Sequence, residues 1–193
     1  MELPLFPLNT VLFPDGLLPL KIFEQRYMDM AKGCLRDGSA FGVCAIREGH
    51  EVGAPAVPAR VGCFARIIEW DMPQLGVLEV IARGEQRFRL QHYRDNGAGL
   101  LIGSVEGIDN EPVTEISEEF TFLIEVASEI ASHTSEKYPP TPAQLADAVW
   151  LSYRLSELLP LPLPLKQQLL ELTEPNARLL MLREMIVSGT AED

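Results

Sequence analysis

Basic and aromatic side chains are interleaved in one stretch of the chain, and together they offer the chemistry of nucleic-acid binding. The stretch contains Phe88, Tyr93 and four arginines: Arg83, Arg87, Arg89 and Arg94. Single-stranded nucleic acid is bound by surfaces of this kind, because arginines contact its phosphates and aromatic rings stack on its bases. A second interpretation is a solvent-facing strand whose arginines pair with nearby carboxylates. Because side chains alternate along a strand, Phe88 would face away from Arg87 and Arg89, into a core. This alternation favours the second interpretation.

Hydrolysis of nucleotides or peptides requires motifs that this sequence does not contain. No GxxxxGK[ST] segment is present to cradle a triphosphate, and no GxGxxG follows a predicted strand. There is no GxSxG, and with only four lysines in the chain no Ser–Lys dyad stands out. We therefore predict that the chain is not an enzyme.

The histidines and cysteines do not form a metal-binding pattern. His50, His92 and His133 have no histidine partner three or four residues away, and the three cysteines lack CxxC spacing. Cys34 falls on the apolar face of a predicted helix and Cys63 in the middle of a predicted strand, which indicates buried, unreactive thiols. We expect no metal, no cofactor and a reducing, cytoplasmic location.

Acidic residues outnumber basic ones, and they are unevenly placed. The net charge is −12; residues 1–108 carry 11 Lys and Arg against 13 Asp and Glu, and the remainder carries 5 against 15. Affinity for nucleic acid comes mainly from Lys and Arg that neutralise phosphates, so nucleic acid is a disfavoured partner. The apolar stretches are too short and too rich in proline to span a bilayer, and the first residues lack the basic region of a signal peptide. The change in charge predicts two regions, 1–108 and 109–193.

Residues 1–108 are predicted to form strands around one helix. The prolines at positions 4 and 7 indicate an edge strand or an extended entry, because proline donates no hydrogen bond. Apolar residues recur at helical spacing over 24–35, which predicts an amphipathic helix that ends near Gly38. Residues 60–70 have apolar side chains at both odd and even positions, which is typical of a strand whose two faces are both covered.

Turn residues divide the rest of this region. The tripeptide RGE at 83–85 predicts a hairpin tip, and DNG at 95–97 predicts a further turn. Several short strands at this spacing predict a small β-barrel, or closed sheet, with one helix packed on it.

Residues 109–193 are predicted to be helical. Helical periodicity runs over 112–135, and the segment Tyr138-Pro139-Pro140 would end that helix. A second helix, over 142–159, is apolar on nearly all sides and is therefore expected to be largely buried. Two further helices, over 165–172 and from 175 to about 187, complete a predicted bundle. The predicted fold class is α+β.

A string near the start of the chain resembles a known family. Residues 3–27 read LPLFPLNTVLFPDGLLPLKIFEQRY, which is similar to the amino-terminal, substrate-binding domain of the ATP-dependent Lon proteases. Further similar segments follow in order along the chain: FGVCAIREG, VGCFARIIE, VIARGEQRFRL and LSELLPLPLPLKQQLLEL. The resemblance covers nearly the whole chain.

The resemblance implies a PUA-like β-barrel over 1–108, followed by a helical bundle over 109–193. It also implies recognition of polypeptides, because this domain helps the proteases to select substrates. The ATPase and peptidase modules of those proteases are not matched, so the chain looks like a free-standing form of the domain. No catalytic residue is carried over to this chain.

The family motif implies a set of candidate peptide-binding residues: Phe13, Pro19, Phe23, Glu24, Arg26 and Tyr27. A structural interpretation competes with binding, and we favour it. In that interpretation Phe13 and Phe23 pack the helix onto the barrel, and Arg26 pairs with a nearby carboxylate.

Three functions remain in competition. The leading hypothesis is a non-enzymatic module that binds unfolded or extended polypeptide and acts as an adaptor to a protease or chaperone. The alternative is an RNA-binding PUA-like module that uses the four arginines. An enzyme acting on a small ligand is the third, and no residue pattern supports it.

Overall fold

The computed structural model describes residues 1–133 and 140–189, which form a mixed sheet and a set of helices. The chain divides into two compact units, Met1–Asn110 and Glu111–Asp193. The predicted helix stop at Tyr138 and Pro139 lies outside the described residues. Because strands predominate in the first unit and helices in the second, the predicted α+β fold class is confirmed.

The first unit is a seven-stranded sheet with one helix. Its elements are β1 (Glu2–Leu8), β2 (Leu17–Ile22), α1 (Gln25–Asp37), β3 (Phe41–Glu48), β4 (Val57–Pro58), β5 (Val61–Gln74), β6 (Val77–Asp95) and β7 (Leu101–Gly107). Neighbouring strands pair in the order β1-β7-β6-β5-β3, and β3 returns to pair with β1 in parallel. The pairings thus form a ring, to which β4 adds at β3 and β2 at β6.

The first strand pairs with two different strands, one along each half, so each proline lies in a half that has a partner on one side, as at an edge. Residues 2–5 pair with β7, and residues 5–8 pair with β3. Leu5 is the one residue of β1 that pairs with both β3 and β7. The residues before it pair with β7 alone, and those after it pair with β3 alone. Pro4 lies in one half and Pro7 in the other, and a proline is tolerated where no ladder bond is required from its nitrogen.

Helix α1 forms where the periodicity predicted it. Its buried face holds Tyr27, Met28, Met30, Ala31 and Cys34, which belong to the main hydrophobic cluster under the sheet. Gly38 ends the helix with φ of 62°, a left-handed conformation in which glycine avoids the steric cost of a side chain.

The predicted hairpin tip at residues 83–85 is wrong, because β6 runs without interruption through them. Gly84 is needed for close approach rather than for a turn. A Cβ atom there would lie 2.0 Å from the carbonyl oxygen of Phe13, and the Gly84 amide donates to Gly16 O at 2.9 Å. The turn between β5 and β6 instead contains Leu75 and Gly76, with φ of 87° at the glycine.

Strand β5 is covered on both faces over only its first part. Residues 61–65 are buried, but residues 70–74 are exposed. The predicted burial of both faces of this strand therefore holds only for residues 61–65. The DNG turn is confirmed between β6 and β7, where the Asp95 carboxylate accepts hydrogen bonds from the amides of Gly97 and Gly99.

The second unit is helical. It contains a 3₁₀ turn (Glu118–Phe120) and the helices α2 (Thr121–His133), α3 (Pro142–Leu145), α4 (Ala148–Leu158), α5 (Leu163–Glu171) and α6 (Pro175–Gly189). Helix α4 contacts the other four helices, and its residues Leu151 and Leu155 are fully buried. The expectation of a largely buried helix is confirmed for α4.

Two predicted helices in this unit differ in their bounds, and Asp147 is the reason for both. The Asp147 carboxylate accepts from the Val149 amide and so caps α4, which separates α4 from α3. The same carboxylate accepts from the Thr114 amide, and Thr114 O accepts from the Ala148 amide. The backbone of Thr114 is thereby committed to α4, and the helix predicted from residue 112 begins only at Thr121.

A buried ion pair joins the start of the second unit to α6. Arg178 is fully buried, and its guanidinium donates to both carboxylate oxygens of Glu111, to Leu172 O at 2.8 Å and to the Ser152 hydroxyl at 3.0 Å. The Tyr153 hydroxyl donates to Glu111 at 2.7 Å, and the Arg178 guanidinium lies 3.9 Å from the centroid of the Tyr153 ring. Every polar nitrogen of Arg178 therefore has a partner.

Candidate functional site

Two of the six motif residues are core residues of the first unit. Phe13 is fully buried, and Tyr27 is 5% exposed. The Tyr27 ring stacks on Phe6 with 3.9 Å between ring centroids, and burial raises the pKa of its hydroxyl. Their positions match the structural interpretation.

Glu24 and Arg26 pair with each other at the start of α1. Arg26 Nη2 lies 2.9 Å from a Glu24 carboxylate oxygen, and Arg26 Nη1 donates to Gly99 O at 2.8 Å. The Arg26 side chain is only 7% exposed and lies 4.6 Å from the Tyr27 ring centroid. The pair ties α1 to the β6–β7 turn, so the expected carboxylate partner of Arg26 is present.

The remaining two motif residues lie on the surface. Pro19 is exposed on β2, and Phe23, just after β2, is 59% exposed. Phe23 therefore does not pack α1 onto the sheet, contrary to the structural interpretation. Of the six candidates, these two have side chains open to a ligand.

The four arginines of the alternative site do not form one exposed patch. Arg87 is buried and Arg83 half-buried, whereas Arg89 and Arg94 are exposed. Arg94 lies 3.0 Å from a carboxylate oxygen of Glu2. The expected inward orientation of Phe88, which is fully buried, is confirmed.

A three-stranded extension of the sheet carries the apolar surface that the sequence analysis missed. Strand β6 pairs with β2 on one side and with the end of β5 on the other. We call this extension, residues 17–23 and 69–81, the arm. Trp70 is 60% exposed there, Met72 42% and Leu75 100%. Pro73, inside β5, was a sign in the sequence of an edge strand, because proline is confined to edges and bulges.

The arm contains a pocket of about 510 Å³. Five of its nine lining residues are apolar or aromatic. The lining is formed by three segments, one from each strand: Pro19, Leu20 and Lys21; Glu69, Trp70 and Asp71; Glu79, Val80 and Ile81. A pocket of this size accommodates one or two side chains of a peptide.

The two outer strands of the arm have open edges. Among residues 1–133 and 140–189, β2 pairs only with β6. Within the same residues, β5 pairs with β3 at Phe64 and its two neighbours but not along the arm. Extended peptides bind by adding a strand to such an edge and placing alternate side chains in pockets.

The thiols are unsuited to nucleophilic chemistry. Cys34, Cys44 and Cys63 are all buried, as predicted for Cys34 and Cys63. Burial raises the pKa of all three, that of Cys44 to about 12, because a buried site disfavours the thiolate.

The described part of the chain has neither a metal-binding cluster nor a membrane-spanning helix. No group of three or more His, Cys, Asp or Glu residues is placed to hold a metal ion. No helix there is long and apolar enough to cross a membrane.

Comparison with known proteins gives consistent matches. The family model described as "ATP-dependent protease La (LON) substrate-binding domain" matches residues 2–188. A crystal structure of a Lon N-terminal domain protein from Xanthomonas campestris is 36% identical, with a TM-score of 0.80, and the match covers 95% of this chain and 98% of that one. The N-terminal domain of a Mycobacterium avium complex Lon protease is 18% identical, with a TM-score of 0.57 over 95% of this chain and 97% of that one, and shows likeness of fold alone.

Longer proteins match only in part. A Lon protease from Anaeromyxobacter dehalogenans and Lon protease 2 from Myxococcus xanthus are each 26% identical over 95% of this chain. The chain spans 23% of the length of each.

Proposed function

This chain belongs to the family of ATP-dependent protease La (LON) substrate-binding domains, and on that premise we propose that it binds unfolded or extended polypeptide without catalysing a reaction. The matched region is the substrate-binding domain alone. The chain would present its bound polypeptide to a protease or chaperone, as an adaptor or substrate-recognition protein in the cytoplasm. In this proposal the ring of strand pairings is a PUA-like barrel.

The observation that carries the proposal is the exposed apolar surface of the arm. Trp70, Met72, Leu75 and Phe23 are large apolar side chains held on the arm, each between 42% and 100% exposed. Several large apolar side chains exposed on the same part of a folded domain indicate a binding site. Unfolded polypeptides expose the apolar side chains that such a surface can cover.

The open edges of the arm suggest how a polypeptide is held. A peptide strand beside β2 or the end of β5 would form backbone hydrogen bonds that do not depend on its sequence. Its side chains would enter the pocket of the arm. Affinity should be modest, because an extended peptide loses conformational entropy when it is ordered on a surface.

The test is a titration of a dye-labelled unfolded peptide, followed by fluorescence anisotropy, with single-stranded RNA titrated in parallel. Trp70→Ala should weaken peptide binding about tenfold or more, because aromatic anchors in a pocket dominate binding energies. Val52→Ser is the matched control, since Val52 is an equally exposed apolar residue of the first unit outside the arm. That control should bind as the unaltered chain does.

Two results would overturn the proposal. One is peptide affinity that is the same in the Trp70→Ala and unaltered chains. The other is tight RNA binding with a steep dependence on salt and no measurable peptide binding, which would favour the four arginines of β6.

A further inference from the structure

The two open edges of the arm present different backbone groups. The Gly84 amide donates to the carbonyl oxygen of Gly16, the residue before β2, at 2.9 Å, so Gly84 directs its backbone groups toward β2. Hydrogen-bonded and non-hydrogen-bonded pairs alternate along an antiparallel ladder, so Val80 also bonds to β2, through its partner Leu20. Residues 17, 19 and 21 lie between the bonded positions of β2, and their backbone groups therefore point to the open edge.

Pro19 interrupts the open edge of β2. It is the middle one of the three outward positions, between Leu17 and Lys21, and it has no N–H to donate. A strand added beside β2 would therefore lack its central hydrogen bond. Proline on an outer strand is a means by which sheets prevent such pairing. Pro19, a candidate peptide-binding residue of the family motif, thus makes β2 the poorer of the two edges.

The end of β5 keeps both backbone groups at Trp70. Trp70 is the Cα partner of Val80, and the backbone groups of Val80 are directed toward β2. The Trp70 N–H and C=O therefore point away from β6, to the open edge. At Met72, the next outward position, the amide instead donates to the Asp71 carboxylate at 2.7 Å. Trp70 can thus exchange two hydrogen bonds with an added strand.

A row of apolar side chains crosses the three strands of the arm and ends at the same edge. Leu20, Val80 and Trp70 are successive Cα partners, and paired residues of neighbouring strands point to the same face of a sheet. Val80 is 3% exposed and Leu20 packs against the main hydrophobic cluster, whereas Trp70 is 60% exposed. The row is therefore buried at its centre and uncovered at the open edge of β5. A fourth strand beside β5 would extend it by one side chain.

We propose that extended polypeptide adds to the end of β5, with a large apolar residue opposite Trp70, and that Pro19 excludes it from β2. This inference rests on the proposed function and specifies the edge that is used and the side chain that the substrate must supply. The polypeptide backbone bonds to the N–H and C=O of Trp70, which a segment of any sequence can do. Its apolar residue packs beside the Trp70 ring as a cross-strand neighbour, which selects segments with a large apolar side chain.

Matched substitutions separate the backbone of Trp70 from its ring. Trp70→Ala and Trp70→Pro both remove the ring, but only the proline removes the outward N–H. Trp70→Pro should therefore bind a dye-labelled unfolded peptide about fivefold more weakly than Trp70→Ala, which is the effect of one net hydrogen bond. The control pair is Leu17→Ala and Leu17→Pro, of which the second removes an outward N–H from β2. These two variants should bind the peptide equally, and circular dichroism verifies that all four variants fold.

Photo-cross-linking of the unaltered chain locates the bound strand without any substitution. The peptide carries photo-leucine at its central position, and mass spectrometry identifies the residues that it labels. A strand beside β5 lies about 14 Å from β2, because neighbouring strands are about 4.8 Å apart. Labels should therefore fall on residues 69–72 and not on residues 17–21. Serine in place of the photo-leucine should weaken binding about threefold, because the cross-strand apolar contact is lost.

The outcomes separate this inference from the proposed function. Equal affinity of folded Trp70→Pro and Trp70→Ala, or labels confined to β2, overturns the inference and leaves polypeptide binding intact. If Trp70→Pro does not fold, the distribution of the labels decides alone. Failure of the unaltered chain to bind the peptide overturns the proposed function, and this inference with it.

Discussion

Replacing Arg178 by methionine tests whether the buried ion pair of the second unit stabilises the fold. The change keeps an unbranched, apolar side chain in the space of the arginine stem but removes the guanidinium. Glu111, whose side chain is 6% exposed, then loses the cation that contacts both of its carboxylate oxygens. Ser152 and Leu172 lose a donor as well.

The expected loss is large because one partner of a buried pair remains behind. Removing one member of a buried salt bridge costs about 3–5 kcal/mol, most of it from the uncompensated charge. The retained hydrogen bond from Tyr153 to Glu111, at 2.7 Å, places the expected loss toward the lower end of that range. We expect the free energy of unfolding to fall by about 3 kcal/mol.

Equilibrium unfolding in urea measures this loss. Trp150 lies in α4 of the second unit and Trp70 in the arm, so a Trp70→Phe background leaves one fluorophore that reports on the helices. Arg183→Met is the matched control in the same helix. Arg183 pairs with an exposed Glu119 at 2.7 Å, and its loss should cost at most about 1 kcal/mol.

A double variant makes the argument refutable. Glu111→Gln combined with Arg178→Met removes both charges, so it should be more stable than Arg178→Met alone. Additive losses from the two substitutions, or a loss from Arg178→Met no greater than that from Arg183→Met, would contradict this account of the pair.

Three further predictions concern the first unit. Gly84→Ala should destabilise the chain by at least about 2 kcal/mol in urea, because the new methyl group would meet the Phe13 carbonyl oxygen at 2.0 Å; an unchanged midpoint would contradict this. Cys44 and Cys63 should react with Ellman's reagent at pH 8 only after unfolding. Burial raises the pKa of Cys44 to about 12 and also raises that of Cys63, so little reactive thiolate is present in the folded chain. Rapid reaction of the native chain would refute this prediction. Leu75→Ser should change stability by less than about 0.5 kcal/mol, because Leu75 is fully exposed, and a larger loss would show that it packs.

Local patterns predicted the elements whose structure is decided locally. The periodicity of α1 and the glycine at position 38 were sufficient for that helix and its end. The carboxylate of Asp95 predicted its turn, because its partners lie within four residues. Where the deciding partner is distant in sequence, prediction failed: Gly84 is explained by Phe13, and the late start of α2 by Asp147.

The candidate site shows the same limit. Phe13 and Phe23 have the same residue type in one motif, yet one is fully buried and the other is 59% exposed. Trp70 lies in a stretch with apolar side chains at both odd and even positions. Only the folded sheet shows that the end of β5, which contains Trp70, is exposed. Exposure of an apolar residue depends on tertiary packing, which a single sequence does not display.

The position of β1 in the ring also determines the order in which the chain can fold. Glu2 pairs with Ser104, and Leu5 pairs with both Gly42 and Leu101. Strand β1 precedes the other strands of the ring along the chain and therefore cannot complete its pairing until β7 has left the ribosome. Contacts between such distant residues form slowly, because the intervening chain must be ordered before they can stabilise it. During synthesis, β1 keeps part of its pairing surface unpaired for longer than any other strand of the ring.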